Sequence, residues 1–483
     1  MIPFGAFEPD RTKYAPDAMT NAVNCLPVAD GWGPMPDATV VSDALGSACL
    51  GAVYVRTTAG AYKVFAGTAT GLYLYDSGTL GWTDVTRSVG GAYAVPDGDL
   101  WSFCVYGSNL LAANIADVIQ YIDIDSGTEF DALAGSPPQC KYLAVAGEYL
   151  VMAHLSTDPN GVRTSGIGDA TYHTVGMRGA DEQPFPDGEE ITGVIGAEKG
   201  MVIFQRTRFR ELALTSGGDY SFTTRVINSA RGVQAQHSIA QIGPGRFCYY
   251  SPDGFFMGVE GTPIGDERVD RWFTSEIDLG KAEDIRAMVD PYAKIVWWQA
   301  QRADTSKFLL GYRWTNDRWC YSDGSYEHMA ALVTSGITID GMDAFFATID
   351  DADVPIDSRL FAGGTPTMAV FDTSHRLCYL TGENKAATLQ TADVELNPGF
   401  RTLVDEVSIV GSAADYTIKA ITSDYHGGAR TEGSAKSPNS RSGITHMRSE
   451  ARIHALKVEI PEGAEWTHMV GLEAPRAKRT GRV

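Results

Sequence analysis

Short runs of carboxylates beside glycine are the residues of this sequence best suited to chemistry. Asp123-Ile-Asp125-Ser-Gly127 offers two oxygen donors, but an EF-hand type of calcium loop needs a third donor and a glycine at its sixth position. Asp350-Asp351-Ala-Asp353 is denser in carboxylates. We interpret it as a solvated loop, with a cation site as the alternative. Neither run predicts a defined metal centre.

Two further acidic features could serve catalysis. Tyr250-Ser-Pro-Asp253-Gly254 is similar to the sialidase Asp-box, S-x-D-x-G, but its glycine comes one residue too early. We therefore predict a hairpin turn with Asp253 at a turn position. Glu189 and Glu190 are adjacent, and on a strand they would face opposite ways. That is poor geometry for a paired acid and base.

Other motifs of catalysis and cofactor binding are missing from the sequence. It contains no H-E-x-x-H, G-x-S-x-G, P-loop or G-x-G-x-x-G pattern. None of the nine histidines stands two or four residues from another, so no metal-binding pair is indicated. The sequence therefore predicts no catalytic residue, no cofactor site and no metal ligand, and we expect that the protein is not an enzyme.

The cysteines and the apolar runs indicate where the chain folds. The seven cysteines are scattered without a C-x-x-C pair, which favours small buried side chains in a reducing compartment. They are Cys25, Cys49, Cys104, Cys140, Cys248, Cys320 and Cys378. Apolar runs are far shorter than the ~18 residues of a membrane helix, and MIPFGAFEPDRTKY does not resemble a signal peptide. We expect no membrane insertion.

Charge is distributed unevenly along the 483 residues. The formal net charge is −21. Residues 385–483 contain 13 basic and 12 acidic residues, whereas residues 1–384 contain 26 basic and 48 acidic ones. The acidity therefore belongs to the larger N-terminal part. Such a surface repels nucleic acid and disfavours ordinary phosphate binding.

Strand-like segments recur along the chain with a nearly constant spacing. Units beginning at 51, 101, 142, 192, 239, 285 and 331 are separated by 41 to 50 residues. Four-stranded propeller blades repeat at roughly 40–50 residues. We predict an all-β fold with a six- or seven-bladed β-propeller over residues 47–384. A pair of large β-sandwiches is the alternative.

The two ends of the chain lie outside this repeat. Residues 1–46 are rich in Pro and Asp, which is typical of an extended arm held by its aromatic residues. Residues 385–483 alternate between apolar and polar side chains and predict a C-terminal β-sandwich. The polar stretch 422–445 would be an exposed loop of this domain. Residues 475–483 would be a basic tail, either solvated or in contact with an acidic neighbouring subunit, with direct DNA contact as the alternative.

Short motifs in a fixed order over some 400 residues give the chain a family resemblance. They are Asn24, Pro27, Gly31, Pro34, Pro36, Phe65-Ala-Gly-Thr, Leu72-Tyr, Trp82-Thr-Asp-Val-Thr-Arg, Tyr93, Trp101-Ser-Phe, Ser251-x-Asp-Gly-Phe-Phe, Ile264-Gly, Arg268-Val-Asp-Arg-Trp-Phe, Val289-Asp-Pro-Tyr, Trp314-Thr-Asn-Asp-Arg-Trp and Thr388-Leu-Gln-Thr. With these marks the chain resembles the tail nozzle proteins of short-tailed bacteriophages, also called tail tube B or packaged-DNA stabilisation proteins. The C-terminal domain matches least.

The resemblance implies a structural virion protein with no cofactor. Such a protein forms a homo-oligomeric ring, usually a hexamer, in the viral tail below the portal and the head–tail adaptor ring. The ring is a conduit that retains packaged double-stranded DNA, without sequence-specific binding, and passes it during DNA ejection. Its flanks carry fibres or spikes, and a tail needle or plug can close its tip. Assembly takes place in the host cytoplasm.

Two other classes of function stay open. A carbohydrate-binding or carbohydrate-cleaving propeller would need convergent carboxylates and aromatic side chains in a cleft, which a sequence does not reveal. An intracellular adaptor propeller would be expected to have WD or kelch signatures, and the sequence has none.

Overall fold

The structure is a computed structural model that describes residues 1–215, 221–334, 364–473 and 477–482. Strands dominate it. Its helices, within these ranges, are one α-helix, Asp270–Glu276, and two 3-10 segments, Pro186–Gly188 and Leu279–Asp284. The predicted all-β fold is confirmed. None of the described helices has the length and apolar character needed to cross a bilayer.

Seven four-stranded antiparallel sheets, here called blades 1 to 7 in chain order, form a β-propeller in the described ranges. The innermost strand of blade 7 packs against that of blade 1, which closes the ring. The seven unit starts predicted from the repeat fall within three residues of the innermost strands. These strands are Gly51–Arg56, Ser102–Tyr106, Cys140–Ala146, Ile191–Ala197, Ala240–Gly243, Arg286–Asp290 and His328–Val333.

The remaining strands follow each innermost strand outwards. The second strands are Tyr62–Gly67, Asn109–Ala113, Tyr149–Leu155, Gly200–Gln205, Arg246–Ser251, Ile295–Gln301 and Pro366–Phe371. The third strands are Leu72–Asp76, Gln120–Asp123, Gly161–Thr164, Phe209–Leu214, Gly254–Met257, Lys307–Arg313 and Arg376–Asn384. The fourth strands are Gly81–Asp84, Asp131–Ala132, Glu182–Pro184, Phe222–Asn228, Thr262–Pro263, Arg318–Ser322 and Pro36–Ala44.

The second strands form much of the propeller core. Every residue of Tyr149–Leu155 is buried, and so are all but the last of Ile295–Gln301. A strand covered on both faces is apolar along its length rather than alternating. Neighbouring blades supply that cover, which explains why these segments are continuous apolar runs in the sequence.

Blade 7 is completed by a strand from the other end of the chain. Pro36–Ala44 pairs antiparallel with Arg376–Asn384, for example Thr39 with Tyr379 and Ala38 with Leu380. The sheet therefore crosses the limit predicted between the arm (1–46) and the propeller (47–384). Because both ends of the repeat contribute to one blade, opening the ring requires breaking this strand pair.

The C-terminal part forms two sheets that also take up N-terminal strands. A seven-stranded sheet contains Phe400–Gly411, Thr445–Ala451, Met469–Glu473, Ala477–Arg482, Ile2–Pro3, Cys25–Pro27 and Trp32–Pro34. A five-stranded sheet contains Ala387–Gln390, Thr417–Ser423, Thr431–Glu432, Ile453–Ile460 and Ala22–Val23. Val404, Val407, Ile418, Leu456 and Val458 belong to one buried cluster that both sheets share. The short strands Ala6–Phe7 and Ala18–Met19 pair parallel with each other.

Two segments of this part were predicted to lie outside its regular structure. Within the polar stretch 422–445, Thr431–Glu432 pairs with Ile421 and Thr422, and much of the rest is exposed. Within the predicted basic tail, Ala477–Arg482 is a strand beside Phe400–Val404. Those tail residues therefore belong to the seven-stranded sheet.

Candidate functional site: the propeller channel

The innermost strands of all seven blades surround a central cavity of about 370 Å³. Its wall is largely apolar, with polar groups grouped towards the ends where the innermost strands begin. Its lining includes the aromatic and thioether side chains of Trp101, Phe103, Met288 and Met329 and the basic side chains of His237, Arg286 and His328. A volume of this size falls within the range of small-molecule sites.

A second cavity of about 390 Å³ lies next to the first, and Arg286 lines both. Asp97, Lys281, Asp284 and Lys307 line this second cavity, so it is polar and carries charges of both signs. Arg286 is the first residue of the innermost strand of blade 6. The start of that strand therefore places a guanidinium where the two cavities meet.

Burial and neighbouring positive charges lower the pKa values of the basic side chains around this point. Burial, and then the charge of Arg286, lowers the pKa of His328 to about 3. Burial, Arg286 and Lys141 lower the pKa of His237 to about 3. Burial also lowers the pKa of Lys307 and of Arg286 itself. Both imidazoles are therefore neutral at physiological pH.

Other charged groups near the channel are already paired. Lys141 contacts Asp99 at 2.5 Å. Arg206 contacts Glu190 at 2.5 Å and Glu283 at 2.9 Å. Glu190 is thus an ion-pair partner, whereas the neighbouring Glu189 has a positive φ of 62° and accepts from the Gln205 side chain through its carbonyl. The two glutamates do not form an acid–base pair.

The Asp-box-like motif is a hairpin turn in blade 5. Ser251 pairs with Gly254 across the turn, and the Ser251 hydroxyl donates to the Gly232 carbonyl at 2.8 Å. Asp253 accepts from Arg231 at 2.7 and 2.9 Å. This arrangement leaves the Asp253 carboxylate engaged in an ion pair at the protein surface.

The carboxylates singled out as calcium donors also stabilise turns. Asp123 accepts from the backbone N–H of Ser126 at 2.7 Å and of Asp125 at 3.1 Å. Asp125 accepts from the backbone and hydroxyl of Thr58 at 2.9 and 3.0 Å. Asp350, Asp351 and Asp353 lie outside the described residues. In the described ranges no three His, Cys, Asp or Glu side chains come together as metal ligands would.

A second polar cluster fastens the N-terminal arm to blade 6. Asn24 has a φ of 55°, and its side chain donates to the Ala386 carbonyl at 2.9 Å. Its Oδ1 accepts from the Ser322 hydroxyl at 2.8 Å and the Asp323 N–H at 3.2 Å. One side chain therefore connects the arm, blade 6 and the start of the C-terminal sheets.

Trp32 extends this attachment. It is fully buried, and its indole N–H donates to the Gly5 carbonyl at 3.0 Å. The Arg318 guanidinium lies 4.8 Å from the indole centroid and donates to the Gly31 carbonyl at 2.9 Å. A desolvated cation–π contact of this kind is worth ~2 kcal/mol.

The α-helix holds a third part of the arm. The Asp10 carboxylate accepts from the backbone N–H groups of Arg271 and Trp272 at 2.8 and 2.7 Å. Phe7 packs edge-on against Trp272 at 5.5 Å. Several marks of the family resemblance thus lie at or beside the junction of the arm, the propeller and the C-terminal sheets. They are Asn24, Gly31, residues 268–273, residues 314–319 and residues 388–391.

Sequence reasoning missed the basic cluster of the channel, which consists of Arg286, His237 and His328. The repeat contains a signal that could have found it. Arg286 and His328 are the first residues of innermost strands, and His237 comes shortly before another. Residues at that position of each unit converge on the propeller axis, even though they are far apart in the sequence.

No family model matches the chain, and no curated protein matches it in sequence. Solved structures to which the chain is similar include the following three. The computationally designed Ika8 protein is 11% identical, with a TM-score of 0.38, over 72% of this chain and all of that one. The extracellular domain of a putative hybrid two component system from B. thetaiotaomicron is 10% identical, with a TM-score of 0.41, over 89% of this chain and 47% of that one. BamB from Moraxella catarrhalis is 9% identical, with a TM-score of 0.33, over 74% and 93%.

Proposed function

We propose that the protein is a subunit of the tail nozzle of a short-tailed bacteriophage. The observation that carries this proposal is the position of the residues behind the family resemblance. Asn24, Gly31, Arg271, Trp272 and Arg318 each contribute to fastening the arm, the propeller and the C-terminal sheets together. Their role is structural, which suits a subunit of a tube wall.

The interlocked ends of the chain support a load-resisting role. N-terminal strands enter the last blade and both C-terminal sheets. Pulling on one part therefore has to break strand pairs in another. A wall that withstands the pressure of packaged DNA benefits from such cross-connections.

The path of the DNA in this proposal runs between subunits. The cavity within one propeller is about 370 Å³, the size of a small-molecule site, and it cannot admit a duplex. The conduit would be the axis of a homo-oligomeric ring, with a hexamer as the expected order. An acidic wall along it, supplied by 48 acidic and 26 basic residues in the first 384, would let DNA slide without strong phosphate contacts.

The other parts of the proposal follow from the nozzle role. The ring would stand in the virion tail below the head–tail adaptor, carry fibres or spikes, and be closed by a needle, a plug or its own tip. It would assemble in the host cytoplasm, and it would need no catalysis or cofactor.

The decisive experiment measures the mass of the assembled protein and its shape in negative-stain images. One chain has a mass of 52.0 kDa. The proposal expects rings with an axial opening and, for a hexamer, a mass of about six times that value. A protein that stays a monomer at every concentration, and gives no ring in the presence of an adaptor ring, contradicts the proposal.

Two assays test the DNA path and the competing function. Duplex binding at about 50 mM salt should be weak, and a charge map of the ring should show no basic lumen. Residues 477–482 form a strand of a sheet, so the double substitution Lys478→Gln and Arg479→Gln tests DNA contact by the tail better than its deletion. Tight duplex binding that survives these substitutions contradicts an acidic conduit. Turnover of polysaccharide, lost when one carboxylate is replaced, would favour the carbohydrate-cleaving alternative.

A further inference from the structure

Arg286 stands at the channel with most of its hydrogen-bonding capacity unused. Its Nη1 donates to the Glu327 carbonyl at 3.4 Å, and a guanidinium has five N–H donors. Among the described residues, no other protein acceptor satisfies this side chain, and no carboxylate lies within 4.0 Å of it. Lys307 similarly donates to a carbonyl, that of Tyr326, at 3.1 Å.

The carboxylates nearest to Arg286 have other partners. Glu327 accepts from the Cys49 N–H at 2.5 Å through one oxygen and contacts the His375 ring at 2.5 Å through the other. Asp284 contacts Lys281 at 3.2 Å. Arg286 therefore has acidic groups in its surroundings that stabilise its charge, but none that occupies its donors.

Two imidazoles beside Arg286 have ring nitrogens without a hydrogen-bond partner in the described part of the chain. His328 is 7% exposed and lines the cavity, and its Nδ1 is buried and unpartnered. The Nε2 atom of His237, in the same wall, is also buried and unpartnered. Both nitrogens are covered by protein atoms, so direct contact with a ligand falls to the unused donors of Arg286 at this end of the channel.

The rest of the cavity wall is apolar. Trp101 and Phe103 stack with ring centroids 6.2 Å apart. Met288 and Met329 also line the cavity, and methionine adapts to irregular apolar shapes. A ligand here would meet donors at one end and aromatic or thioether groups along its body.

We propose that the channel of each propeller binds a small organic anion, with its carboxylate on Arg286, beside His237 and His328, and its apolar body between the channel walls. Arg286 would hold the carboxylate oxygens through its forked donors. The imidazoles of His237 and His328 would form the polar surroundings of the head group. This site does not depend on ring formation, since the residues come from a single chain.

The test is calorimetric titration of the full-length protein with benzoate and hexanoate. Benzyl alcohol keeps the ring without the charge, and inorganic phosphate keeps the charge without the apolar body. The first variant is Arg286→Met, which removes the guanidinium at similar length. Its matched control is Arg246→Met, since Arg246 is exposed and lies on a second strand of blade 5.

The proposal expects saturable benzoate or hexanoate binding that weakens at least about tenfold in Arg286→Met and is unchanged in Arg246→Met. Benzyl alcohol and phosphate should each bind at least about tenfold more weakly. If Arg286→Met does not fold, Arg286→Lys retains the charge without the fork and should show a smaller loss. Absence of saturable binding, equal binding by the Arg286 variants, or phosphate binding as tight as that of benzoate would overturn the assignment.

Discussion

Replacing Asp270 by asparagine should make the protein more stable at high pH and change how its stability depends on pH. Asp270 begins the α-helix and is half-buried. Burial, together with the charges of Asp10, Asp266 and Asp253, raises the pKa of Asp270 from 3.8 to about 7. A raised pKa means that the folded state holds the proton more tightly than the unfolded state does.

The sign and window follow from proton linkage. Between about pH 4 and pH 7 the folded protein binds more protons at Asp270 than the unfolded protein, so this residue makes stability fall as pH rises. A difference of about 3 pKa units corresponds to ~4 kcal/mol at most. Screening of the half-buried carboxylate reduces the expected effect to about 2 kcal/mol. The introduced amide would be neutral throughout, and its oxygen could still accept from the Phe255 N–H, which lies 3.2 Å from the carboxylate in the native protein.

The assay is chemical unfolding of the wild type and of Asp270→Asn between pH 4 and pH 8. The difference in unfolding free energy should be close to zero at pH 4 and should grow to about 2 kcal/mol in favour of the variant at pH 8. Glu260→Gln removes the same charge at an exposed position of the same blade and serves as the control. Parallel stability curves for the wild type and Asp270→Asn would refute the reasoning.

Three further predictions concern the arm and the thiols. Trp32→Ala should lower the unfolding free energy by about 3–5 kcal/mol in denaturant titrations, because a fully buried indole is lost. The control is Leu279→Ala, which removes a side chain that is 67% exposed, and an equally small loss of stability in both variants would contradict this. Asn24→Ala should cost about 2 kcal/mol or more through lost hydrogen bonds and a left-handed φ, and Asn24→Gly should cost less, as thermal unfolding of both would show. Burial raises the pKa of all seven cysteine thiols, so the native protein should react slowly with a disulfide reagent. The half-buried Cys104 should be among the first thiols to react, and all seven should react in guanidinium chloride. Fast reaction of a buried thiol in the native state would disprove this.

The sequence by itself determined the architecture of the repeat. Apolar runs such as Tyr149–Leu155 and turns such as Ser251–Gly254 are local signals, since strand propensity and turn chemistry depend on neighbouring residues. Their spacing located the innermost strands to within three residues. The same local character let the Asp-box-like motif be interpreted as a hairpin turn.

Only the tertiary structure decided the number of blades and the partners of the N-terminal segments. The strand Pro36–Ala44 reads as part of an irregular arm because its pairing partner lies more than 300 residues away. Alternation shows which face of a strand is buried but does not identify its neighbour in a sheet.

The basic cluster of the channel also depends on the tertiary structure. Arg286, His237 and His328 belong to different blades or to the segments that lead into them, and only their equivalent positions in the repeat relate them in the sequence. Their meeting follows from closing seven sheets around one axis, which brings equivalent ends of separate strands together. Burial and mutual charge then shift the pKa values of these side chains, because desolvation is a property of the closed ring and of no single strand.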